Sequence, residues 1–83
     1  MTMETRVALL GIIVENWDAV GALNQILHEY ADYIIGRMGI PYSKKEMNII
    51  SIAMDAPQQV ISAVSGKIGM LEGVSSKVIY GKK

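Results

Sequence analysis

The stretch RVALLGIIVE, positions 6–15, is apolar at odd and at even positions. Its β-branched content and length predict a β-strand. Successive side chains of a strand point to opposite faces. Val7, Leu9 and Ile13 therefore look one way, and Leu10, Ile12 and Val14 the other. A strand that is greasy on both faces belongs in the middle of a sheet, with a layer on each side. That requirement is severe for a chain of 83 residues, which has room for one core and is marginally stable alone. There is no cysteine, so disulfides and thiolate metal sites are excluded as reinforcement. Oligomerisation is the remaining route to extra burial. With 51% hydrophobic residues, the chain carries more apolar surface than one small core consumes.

The rest of the chain supplies the neighbours of that strand. Asn16 is placed to cap a helix. From Trp17 to about Tyr30, Val20, Leu23, Leu27 and Tyr30 recur at three- and four-residue steps. A second strand is expected over 32–40, a polar turn over 41–46 and a third strand over 47–55, the last two strands forming a hairpin. Pro57 suits a first helical turn. A second helix is expected to run to about Leu71, with Val60, Val64, Ile68 and Leu71 on one stripe and Gly73 closing it. Positions 74–80 alternate as a half-covered edge strand, and 81–83 form a flexible tail.

The order β-α-β-β-α-β is the split βαβ or ferredoxin-like arrangement, an α+β fold. Right-handed crossovers place both helices on one face of a four-stranded antiparallel sheet. The whole of 1–83 is expected to form a single domain, with its core over about 6–80. The first and third strands become central. The other face has no helix, so another sheet or subunit is expected there.

Charge narrows the function classes. Eight basic and eight acidic residues give no net charge, unlike a domain built to grip phosphate backbone or an anionic membrane. The longest apolar run, 7–14, is too short to span a bilayer, and ENWD follows it in place of a small-residue cleavage site. A cytoplasmic protein is expected, with no membrane and no direct nucleic-acid contact.

Few residues carry chemistry. His28 is the one histidine and falls near a helix C-terminus, where it suits the dipole. Without cysteine or clustered carboxylates it makes no metal-ligand spacing, and it joins no nucleophile arrangement. The glycine stretches GRMG (36–39) and SGKIG (65–69) match no phosphate loop, because Lys67 falls inside the second helix. Gly66 and Gly69 in that helix point to close backbone packing, and Trp17 is a packing residue or a pocket wall.

The unusual stretch is DYIIGRMGIPY, 32–42. Two glycines in an edge strand permit a bulge or the close approach of another chain. Arg37 offers a charged fork able to take a carboxylate. A small-ligand site at a subunit boundary is expected from Gly36, Arg37, Met38, Gly39 and Tyr42. The plainer alternative is an edge protected from aggregation by glycine and charge.

At LHEYADYIIGRMGIPY (27–42) and DAPQQVISAVSGKIGMLEGVSSKVIY (55–80) the chain resembles a small family of proposed regulators of the iron-only hydrogenase system. These are free-standing proteins of ACT-like, ferredoxin-like fold. The resemblance runs from about Val7 to Tyr80 and is most specific at YIIGRMGIPY and at the start of the second segment. It implies a regulatory role tied to hydrogenase assembly or expression, and it supplies no catalytic or binding residues. The fold also resembles the ligand-binding domain of nickel-responsive repressors, whose metal site takes several histidines and a cysteine; only His28 is present here. Amino-acid-binding ACT domains carry glycine after the first strand, where this chain has ENWD.

The expected protein is therefore a non-enzymatic regulator without cofactor. It assembles with copies of itself as a dimer or tetramer, senses a small-molecule effector and presents its state to a protein partner, with transcription regulation as an indirect outcome. The alternatives are an interaction module without ligand and a small enzyme using His28.

Overall fold

The computed structural model describes residues 4–82. Positions 1–3 and 83, which belong to the expected domain span and tail, lie outside the described residues. In chain order the elements are β1 (Arg6–Val14), α1 (Val20–Glu29), β2 (Ile34–Tyr42), β3 (Met47–Ala56), α2 (Gln58–Gly69) and β4 (Val74–Tyr80). The sheet order is β2-β3-β1-β4, and every neighbouring pair is antiparallel. The two strands apolar on both faces are central, as the pattern of 6–15 requires.

One face of the sheet carries the core. Leu10, Ile12 and Val14 of β1 and Ile52, Met54 and Ala56 of β3 are buried there against Leu23 and Leu27 of α1 and Ile61, Val64 and Ile68 of α2. Among the described residues no charged or polar residue is buried with them. Asn16 caps the chain reversal after β1, its Oδ1 accepting from the Asp18 N–H at 3.1 Å. The cap opens a 3-10 turn, Trp17–Ala19, before α1 begins.

Four expectations need correction. The second strand lies two residues later than 32–40, because Ala31–Tyr33 forms a 3-10 turn first, with Tyr33 N–H donating to the Tyr30 carbonyl at 3.0 Å. Pro41 and Tyr42, expected in the turn, continue the strand opposite Asn48 and Met47. An edge strand tolerates proline, since it needs a ladder on one side only. The second helix stops at Gly69, and its fully buried stripe includes Ile61, absent from the expected one, while Val60 and Leu71 are half-buried beside it. Close packing does not explain Gly66 and Gly69, because a Cβ at either would meet nothing within 4 Å.

Gly73 is the position where glycine is required. Its φ is +75°, and a Cβ there would lie 2.6 Å from Asn16 Cβ. The Gly73 carbonyl accepts from the Glu15 N–H at 2.7 Å, so the approach to β4 is pinned against the end of β1. Gly81 N–H likewise donates to the Val7 carbonyl at 2.8 Å, tying down the start of the tail.

Candidate functional site

The opposite face of the sheet is apolar and, among the described residues, uncovered. Val7, Leu9, Ile13 and Ile49 on the central strands and Met38, Ile40, Tyr42 and Ile79 on the edges are all exposed, Met38 and Ile79 by about two thirds (65% and 67%). Gly11 faces Ser51 of β3 and Lys77 of β4. With no side chain on β1 at that point, a depression of about 320 Å³ opens between Ile13, Ile49, Ser51, Ser75 and Lys77.

β2 divides the five residues singled out in its sequence between the two faces. The register slips between Ile34 and Gly36, so Ile35 is a bulge residue. Glycine beside the slip is the feature that the sequence displayed. Gly36 and Met38 then pair with Ala53 and Ser51 on the open face, whereas Arg37 and Gly39 pair with Ile52 and Ile50 on the helix face. Gly36, Arg37 and Met38 line one shallow depression with Leu9, Ser51 and Ala53. Gly39 and Tyr42 lie farther along the strand, outside its lining. The Arg37 guanidinium reaches the other way, and Nη2 donates to Asn24 Oδ1 of α1 at 2.9 Å.

That hydrogen bond spans a second hollow, on the helix side, bounded by Asn24, Leu27, His28, Ala31, Ile34 and Arg37. The structure thus brings His28 and Arg37 to one cleft. Asn24 was not singled out from the sequence. Its signal was the four-residue step to His28, which puts both on one helix face. Trp17 is exposed and lines none of these hollows. Lys67 sits in α2, 3.7 Å from the Glu29 carboxylate and over the Tyr30 ring. Its pKa is raised above the ordinary lysine value, first by Tyr30 and then by Glu29. Among the described residues no group of three or more histidines, cysteines or carboxylates is placed to hold a metal ion. No helix there is long and apolar enough to cross a membrane.

A family model described as "TM1266-like: Iron-only hydrogenase system regulator, putative" matches residues 6–78. The chain belongs to the TM1266-like family. The match takes in both helices, three complete strands and most of β4. Among solved structures, the uncharacterized protein TM1266 from Thermotoga maritima superposes with a TM-score of 0.92 at 32% identity, over 95% of this chain and 100% of that one. A formyltetrahydrofolate deformylase from Pseudomonas putida KT2440 superposes with a TM-score of 0.63 at 9% identity, over 88% of this chain and 28% of that one. The second likeness shows the fold alone, a ferredoxin-like, ACT-like domain within a longer chain. A search of curated proteins finds no match. The family description is that of a regulator, and it attaches no role to any individual residue of the TM1266-like fold.

Proposed function

We propose that this TM1266-like chain is a non-enzymatic regulatory domain that assembles through its open sheet face and responds to a small effector bound at the subunit boundary. The observation that carries this reading is the uncovered apolar face itself. Eight large hydrophobic side chains on one side of a four-stranded sheet are far more than scattered surface apolar residues account for. A second copy brings a matching sheet, and aligned sheet-on-sheet packing is a stable way to cover such a face. Assembly as a dimer satisfies it, and edge contacts through β2 extend it to a tetramer.

The effector pocket is assigned to the depression beside Gly36, Arg37 and Met38, with Gly39 and Tyr42 along the same strand. The bulge at Ile35 turns the strand there, so a second sheet laid across the face would meet it with a gap. A ligand filling that gap stabilises one assembly over another, and the protein partner reads the difference. The apolar lining from Leu9, Met38 and Ala53 also favours a second reading, in which a side chain of the other copy fills the gap and the protein is an interaction module without ligand. The chain is placed in the cytoplasm on both readings.

Native mass spectrometry of protein purified gently from its own cells tests both. The expected result is an oligomer carrying extra mass, with Ile13→Lys giving a folded monomer that carries none. A bare oligomer selects the interaction module. A wild-type monomer at working concentration overturns both.

A further inference from the structure

The cleft between α1 and β2 lies on the helix side of the sheet, opposite the open face proposed to pack against a second copy. Its volume is about 360 Å³, within the range of small-molecule sites. Leu27, Ala31 and Ile34 give it an apolar floor, and Asn24, His28 and Arg37 supply its polar groups. No carboxylate is among the lining residues. The one ion pair among the described residues joins Lys67 to Glu29, so Arg37 is held by a neutral amide and keeps its charge available. Asn24 fixes one side of the guanidinium fork and leaves the remaining N–H groups for another acceptor. His28 lines the same hollow, and an imidazole carries a ring N–H able to donate to an anion.

We infer that this cleft binds a small carboxylate with a short apolar body, the carboxylate on Arg37 and His28 and the body on Leu27, Ala31 and Ile34. A bidentate guanidinium contact fits the planar carboxylate. The apolar floor selects against an anion such as inorganic phosphate, which has no hydrocarbon to bury. Arg37 borders both this cleft and the effector pocket proposed above, but the two hollows otherwise have different linings. Either can fail without the other, because one is read by oligomeric state and the other by ligand titration of the folded chain.

The test is a titration of the full ¹⁵N-labelled chain, followed by NMR, with isovalerate, its neutral counterpart isoamyl alcohol, and inorganic phosphate in turn. Isovalerate is expected to give saturable shifts confined to Asn24, His28, Ala31 and the neighbouring amides. The alcohol is expected to bind about tenfold more weakly, as loss of a charge-assisted contact implies. Arg37→Gln removes the guanidinium charge and leaves a shorter neutral amide, and should weaken isovalerate by about the same factor. Ala31→Leu fills the floor and should abolish binding while Arg37 is untouched, so the two variants report independently of each other's folding. Absence of saturation with isovalerate overturns the inference. So do phosphate or the alcohol binding as tightly as isovalerate, or unchanged affinity in Arg37→Gln.

Discussion

Leu9 and Leu10 are chain neighbours of the same residue type, yet Leu10 is wholly buried and Leu9 is 43% exposed. The difference is one step of strand pleat. Leu10 faces the two helices and Leu9 faces the bare side of the sheet. Burying a leucine side chain is worth about 1.5–3 kcal/mol. The covered face collects that in full from Leu10, Ile12, Ile52 and Met54, whereas the open face leaves part of it uncollected at Leu9, Ile13 and Ile49. The contrast shows how a chain too short for two layers of helices provides for its central strand. It builds one layer itself and leaves an apolar surface on the other side.

The largest effect expected from this contrast is at Leu10. Leu10→Ala should cost about 3 kcal/mol of stability, read as a shift in the urea midpoint that is the same at every protein concentration. Leu9→Ala should cost far less in dilute solution, and its cost should grow with concentration as a second copy covers the face. Equal, concentration-independent losses at the two leucines would break the comparison of the faces. The helix layer also depends on the turn that pins β4 to the end of β1. Gly73→Ala should cost about 2 kcal/mol, from the positive φ and the contact it forces on Asn16. Gly73→Asn should recover only part of this in the same urea titration, since asparagine tolerates the backbone angle but keeps the offending Cβ.

The covered face was largely legible in the sequence. Positions 6–15 stated that the first strand is central, and the steps Leu23 to Leu27 and Val64 to Ile68 named helix residues that do pack on it. The shift of the second strand was not legible, because Asp32 and Tyr33 fit a strand pattern while their backbone completes a turn after α1. The place of Ile61 in the stripe was not legible, because Val60 and Ile61 are adjacent and equally apolar and periodicity alone could start the stripe at either. For the candidate site, the glycine-arginine segment announced an irregular edge, and the bulge at Ile35 is there. The direction of Arg37 was not readable. A one-residue slip moves a side chain to the other face, and it is this slip that sends Arg37 to Asn24 while Gly36 and Met38 face the open side.

Two smaller effects sharpen the account of the helix layer. Gly66 is exposed and its absent Cβ has open space around it, so Gly66→Ala should raise stability by about 1 kcal/mol. Unchanged or lowered stability in thermal melts would mean that something outside the described fold approaches α2 at that point.

The smallest effect belongs to Lys67, which bridges the two helices through Glu29 and Tyr30. Its raised pKa means that the folded chain holds the proton more tightly than the unfolded chain does. The stabilisation is therefore complete below the ordinary lysine value of 10.5 and is lost as pH climbs through the higher folded value. Lys67→Met should lower the urea midpoint slightly and by the same amount throughout the neutral range, less in high salt because the pair is at the surface. The gap between variant and wild type should then close as pH rises past 10.5. A gap that stays constant in alkali would mean that the lysine stem, and not its charge, holds α1 to α2. The helix layer would then be bound by the same apolar packing that the open face leaves unused.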